Sequence, residues 1–157
     1  MEIREAKKED KILVLKILDE FNDFINSQNQ NWDRKASTSA RDNSGLMFDE
    51  MINFGKSKIF IAIENNEAIG FLEIHKVPRF RKSKYYGEIE GVYIRDQYYG
   101  KGIAQSLMKL AYNWAQEMDF DCVRLYSRFE LKRAHAFYKK IGFSEAGITF
   151  KNYNLNP

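Results

Sequence analysis

One stretch of the chain brings together residue types and spacing that chemistry can use. Val92-Tyr93-Ile94-Arg95-Asp96-Gln97-Tyr98-Tyr99-Gly100-Lys101-Gly102-Ile103-Ala104 runs from a strand pattern, through a turn with two glycines, into an amphipathic helix pattern. The first turn of a helix carries N–H groups without intrahelical acceptors and a partial positive charge, so it holds phosphate or pyrophosphate. Gly100 and Gly102 keep the backbone approachable, Lys101 adds a mobile cation, and Ala104 is small enough for close approach. A Walker A loop is excluded, because its first glycine and its closing Ser or Thr are missing. A dinucleotide fingerprint is excluded because Gln105 stands at its sixth position. The residues alone leave another reading open: a tight strand–helix connection in which two glycines only turn the chain.

A second constellation lies just upstream. Glu88 and Glu90 sit at i, i+2 on the pattern Tyr85–Ile94, so an unbroken strand puts both on one face. A carboxylate, directly or through water, takes the proton that an amine of pKa near ~10 carries at neutral pH. The alternative is an acidic face that attracts a cation or meets solvent. Gly87 and Gly91 inside the strand suggest a bulge or a close approach to the backbone.

The elements that position these groups follow from periodicity. Residues 2–6 read as a first strand, and Asp10 is placed to cap a helix through about Ile25, with Leu13, Ile17, Phe21 and Phe24 on its apolar stripe. Residues 26–42 read as a polar loop around Trp32, and 43–54 as a helix using Leu46 or Met47, Met51 and Ile52. Ser57–Glu64 and Glu67–Val77 form a hairpin about Asn65-Asn66, a pair that tolerates φ > 0, and Pro78 ends it. A helix is expected from about Gly100 to Met118, with Ile103, Leu107, Leu110, Ala111, Trp114 and Met118 as its stripe. Asp121–Phe129 reads as a strand, Leu131–Ile141 as a helix stopped by Gly142, and Phe143–Phe150 as another strand. The order βααβββαβαβ(β) is mixed α/β (α+β): a mainly antiparallel sheet of six to seven strands with helices on both faces.

Length and composition set the frame. The 157 residues, 1–157, are expected to form a single domain. A net charge of +3 argues against a nucleic-acid partner. The basic run Arg79–Lys84 reads as a solvated loop, the alternative being a patch for an anion. No apolar run approaches the ~20 residues of a membrane span, and the opening MEIREAKKED lacks a secretory apolar stretch. One cysteine, Cys122, forms no intramolecular disulfide and is expected to be a small buried strand residue; the cytoplasm is the expected compartment. With two distant histidines, His75 and His135, no metal is expected.

Tyr99-Gly100-Lys101-Gly102-Ile103-Ala104 resembles the [Q/R]-x-x-G-x-[G/A] signature of the GNAT superfamily of acetyl-CoA-dependent N-acetyltransferases, with Tyr99 where Gln or Arg is usual. Ala134-His135-Ala136-Phe137-Tyr138-Lys139-Lys140-Ile141-Gly142-Phe143 resembles that family's A-x-x-F-Y-x-x-x-G-F ending, with Leu131 upstream where many members carry Asn. The element order is similar over essentially the whole chain.

The resemblance implies acetyl-CoA as acyl donor. Gly100, Lys101, Gly102, Ile103, Ala104 and Gln105 would cradle its pyrophosphate, with any side-chain contribution from Tyr99 altered by the departure. The backbone of Val92, Tyr93 and Ile94 would pair with the pantetheine arm like an added strand, and an N–H near Val92 would hold the oxyanion. Tyr138 would be the general acid, and Glu88 or Glu90 the base. The acceptor is expected to be a primary amine of a small polyamine- or aminoglycoside-like molecule, walled by residues among Phe24, Trp32, Asp33, His75, Tyr85, Tyr86 and Tyr126 and attacking directly in a ternary complex. A protein or peptide Nα- or lysine acetyltransferase is the alternative enzyme, and a silent acyl-CoA-binding sensor the alternative of another class. The resemblance also implies a possible homodimer, with C-terminal strands as plausible contacts.

Overall fold

The computed structural model describes residues 1–28 and 43–152. It consists of two units, Met1–Leu125 and Tyr126–Pro157. In the first, strands β1 (Glu2–Glu5), β2 (Ser57–Glu64), β3 (Glu67–Arg79), β4 (Lys84–Ile94) and β5 (Val123–Leu125) form one sheet in that order. The first three pairings are antiparallel, and β4 with β5 is parallel. The β2–β3 hairpin closes on Asn65 and Asn66, at φ 51° and 61°, the doubly left-handed turn that matches strand twist.

Helices α1 (Lys11–Ser27) and α2 (Ser44–Phe54) cover one sheet face. Val14, Ile17 and Phe48 meet Ile59, Ile61 and Phe71 in one buried cluster. This decides the phase of α2: Phe48 is buried, whereas Leu46 and Met47 are exposed. Phe60, Ala62 and Leu72, the alternate residues on the same strands, are equally buried and face the other way. Helix α3 (Ile103–Glu117) packs across β1 to β4 through Ile103, Leu107, Met108, Ala111 and Trp114. Helices on both faces are therefore observed. Asp10 precedes α1 but does not cap it through its side chain; it accepts the Lys7 N–H (2.7 Å) and a bidentate pair from Arg4 (2.6 and 3.0 Å).

Three expectations change. Pro78 stays inside β3, opposite Tyr85, because the pairing with β2 has already ended at His75 and no ladder donor is required on that side. The strand expected at Asp121–Phe129 shrinks to Val123–Leu125, and Phe143–Phe150 forms no strand. Among the described residues the sheet thus has five strands rather than six or seven. Alternating side chains make a segment competent for a sheet, but only a neighbour with ladder partners makes it a strand.

The second unit contains helix α4 (Lys132–Lys140). Gly142, at φ 102°, turns the chain beyond it, and the Phe143 N–H returns to the Tyr138 carbonyl at 3.0 Å. Among the described residues no helix is long and apolar enough to cross a membrane.

Candidate active site

The glycine turn after β4 is built by local backbone geometry. β4 ends at Ile94, a 3-10 turn spans Asp96–Tyr98, and α3 begins at Ile103 with Gly102 as its N-cap. Gly100 and Gly102 both lie at φ +77°, which L side chains rarely adopt. A Cβ at either would meet nothing within 4 Å. The backbone conformation, not crowding inside the protein, demands glycine there. Gly102 supplies no side-chain cap, so the opening N–H groups of α3, at Ile103, Ala104 and Gln105, have no intrahelical acceptor. The Lys101 ammonium rests over the Tyr98 ring at 4.6 Å, beside the turn. Arg95 holds the exit of β4 in place by a bidentate pair to Glu20 (2.8 Å each) and a third bond to Glu67 (2.8 Å).

β4 is wider in use than its pairing with β5. The parallel ladder runs Gly87↔Val123, Glu88↔Arg124, Ile89↔Leu125 and then stops, while β4 continues to Ile94. Val92, Tyr93 and Ile94 therefore have β3 on one side, and no described strand on the other. The β3–β4 register also shifts between Glu73↔Gly91 and Ile74↔Ile89, which makes Glu90 the bulged residue. Gly91 lies beside it, and a Cβ there would sit tightly, 3.2 Å from the Phe71 ring and 3.3 Å from the Phe21 ring.

The bulge alters the expected carboxylate pair. Glu88 keeps a ladder partner and is half-buried; Glu90 has none and is exposed. Glu88 is ion-paired with the Arg124 guanidinium, which also bonds the Tyr86 hydroxyl and stacks 4.0 Å from the centre of that ring. Arg79 approaches the same ring at 5.1 Å. One row of side chains crosses four strands: Ser57, His75, Glu88 and Arg124 are successive register partners. His75 bonds Ser57 Oγ through Nδ1 (2.7 Å) and Glu73 Oε1 through Nε2 (2.7 Å). The Glu73 carboxylate, with Glu90 and Glu88 behind it, raises the His75 pKa against the lowering effect of burial.

Of the other expected wall residues, Tyr86 and His75 lie on this face, and Phe24 contacts Tyr93 at 5.9 Å. Tyr85 points to the opposite face by strand alternation, where Lys76 covers its ring. Trp32 and Asp33 lie outside the described residues. Cys122 is exposed rather than buried, with Arg79 Nη1 3.7 Å from its sulfur. Tyr126 belongs to the second unit, under the Lys151 ammonium at 4.5 Å. Arg124, Glu73 and Ser57 escaped the sequence reading. The i, i+2 spacing of Glu73 and His75 was the available signal.

Tyr138 sits on α4 with its ring 5.6 Å from Phe137 and 5.8 Å from Phe143. Burial pushes its phenol up to about 12, so it is a proton donor throughout the neutral range.

The architecture defines a class: a mixed α/β fold in which β4, unpaired by any described strand on one side beyond Ile89, leads into a glycine turn at a helix N-terminus. The profile of the acetyltransferase (GNAT) family matches residues 21–143, and the chain belongs to that family. An aminoglycoside N(6')-acetyltransferase type 1 of Stenotrophomonas maltophilia is 29% identical over 91 residues, 55% of this chain and 60% of that protein. The match thus spans less than two thirds of that relative's length. The uncharacterized N-acetyltransferase YhfO of Bacillus subtilis (strain 168) is 23% identical over 99% of this chain and 97% of its own. In fold, the chain is similar to a predicted acetyltransferase of Clostridium acetobutylicum solved with acetyl-CoA (TM-score 0.79, 22% identity, 98% and 96% covered). It is also similar to an aminoglycoside acetyltransferase from an uncultured soil sample solved with sisomicin (TM-score 0.77, 15% identity, 99% and 96% covered).

Proposed function

We propose that the chain, as one domain over 1–157, transfers the acetyl group of acetyl-CoA to a primary amine of a small cationic molecule in the cytoplasm. The observation that carries this reading is the β4 edge left open beyond Ile89, which runs directly into the Gly100–Gly102 turn. An extended pantetheine arm adds to such an edge through main-chain bonds at Val92, Tyr93 and Ile94. The pyrophosphate is taken by the N–H groups of Gly100 to Gln105 with Lys101 beside them, while Tyr99 precedes the turn. The bulge turns a backbone N–H near Val92 toward the carbonyl oxygen on which charge develops.

The amine attacks the thioester carbon, a C–N bond forms and the C–S bond breaks. Tyr138 gives its proton to the departing thiolate and recovers one from the new amide nitrogen. Glu90 or Glu88, the expected base, draws in the cationic amine, whose first proton must leave before attack. The name of the Stenotrophomonas relative supports an aminoglycoside-like acceptor over a protein tail.

The test pairs calorimetric titration of acetyl-CoA with thiol release on spermidine, sisomicin and a lysine peptide. Binding with turnover on either small amine is expected. Turnover confined to the peptide would shift the acceptor class, and binding without turnover on any amine would mark a sensor.

A further inference from the structure

The row Ser57–His75–Glu88–Arg124 contains one group whose hydrogen bonds leave a defined place for an incoming proton. A carboxylate only accepts, so His75 Nε2 must carry the hydrogen toward Glu73. Neutral His75 is then unprotonated at Nδ1, where the Ser57 hydroxyl donates to it. Glu88 is already engaged in the ion pair with the Arg124 guanidinium. The His75 and Glu73 side chains are 29% and 24% exposed, within reach of water and short of full solvation.

We propose that Ser57, His75 and Glu73 form the proton relay of the acceptor side. This rests on the acyl-transfer reading above. The ammonium of the acceptor releases a proton, through water, to Ser57 Oγ, and the Ser57 hydroxyl passes its own proton to His75 Nδ1. Glu73 holds the resulting imidazolium, and the neutral amine then attacks. Once product leaves, the imidazolium returns its proton to solvent by the same path. No electron changes hands, and the thiolate's proton follows the separate Tyr138 route.

The groups facing the imidazole are Glu73 on its own strand, Ser57 on β2 and Glu88 and Glu90 on β4, with Arg124 of β5 one place further along the row. Three carboxylates against one guanidinium keep the protonated ring stable, so the relay operates best at or above neutral pH.

The experiment compares the wild-type chain with His75→Gln, His75→Ala and Ser57→Ala. Thiol release is followed from pH 5.5 to 9.5 on the fastest of the three amines, and acetyl-CoA affinity is measured by calorimetry. His75→Gln is expected to lose about 10²-fold in kcat/KM and the imidazole limb of the pH profile. Acetyl-CoA affinity should stay within about twofold, since the row lies away from the turn. Added imidazole should restore part of the rate of His75→Ala. Ser57→Ala should lower the rate while keeping the imidazole limb. A His75→Gln profile matching wild type, with acetyl-CoA still bound, overturns the relay alone. Failure of the wild-type chain to bind acetyl-CoA, or to turn over any of the amines, overturns the acyl-transfer reading and the relay with it.

Discussion

His75 on β3 and Glu88 on β4 are register partners, yet their side chains do not hydrogen-bond each other. Each turns to a different counterpart: His75 to Glu73 and Ser57, and Glu88 to Arg124. The face therefore holds two distinct charge systems side by side. Arg124→Gln removes the one guanidinium of the row, so KM for a polycationic amine such as spermidine should fall severalfold. The Arg124 side chain is 54% exposed, so stability should change by no more than about 1 kcal/mol. Steady-state kinetics with a thermal melt reads both effects, and a raised KM would contradict the placement of the acceptor on this face.

Gly102 is a backbone requirement and, in the proposed reading, an access route for the pyrophosphate. Gly102→Val forces a β-branched residue to φ +77° and puts methyl groups over the opening N–H groups of α3. Acetyl-CoA affinity should drop more than about tenfold, with about 1–3 kcal/mol of stability lost. Unchanged calorimetric affinity in the folded variant would refute the phosphate role of the turn.

Tyr138→Phe separates chemistry from binding. Turnover should fall about 10²-fold with acetyl-CoA affinity nearly intact. The wild-type phenol, pushed up to about 12 by burial, stays protonated through the assay range. No alkaline loss of kcat from this group is expected below about pH 10. Should kcat in the phenylalanine variant match wild type, the acid role belongs elsewhere.

Arg4 and Asp10 tie β1 to the start of α1, and the Asp10 side chain is 6% exposed. The Arg4 guanidinium and the Lys7 N–H hold its carboxyl below the ordinary carboxylate range, against burial. A depressed folded-state pKa stabilises above the unfolded value near ~3.9 and loses that contribution as pH falls through the folded value. Asp10→Asn should cost about 1.5–3 kcal/mol at pH 7. The gap to wild type should narrow in urea melts at about pH 3; a pH-independent gap would show that charge is not its source.

The Gly100–Gly102 turn was legible in the chain because everything it requires lies within a few residues. A strand ends, two residues take positive φ, and a helix exposes its first N–H groups. The Asn65-Asn66 hairpin and the Gly142 stop were legible for the same reason. Element types followed from periods of two and of about 3.6, so the fold class and the order of the main elements could be read directly.

The polar row across β2 to β5 was not legible in that way. Ser57, His75, Glu88 and Arg124 are 18, 13 and 36 residues apart, and no local pattern links them. Register joins them, and a slip of one residue would turn each to the other face. The bulge at Glu90 shows the same limit: read along the chain it forms an i, i+2 pair with Glu88, but against β3 it has no partner. Sequence alone determined the glycine turn at the start of α3 and the family resemblance it carries, because those depend on neighbours in the chain. Only the tertiary structure decided which polar groups share a face and which carboxylate a guanidinium answers, because those depend on how separate strands align.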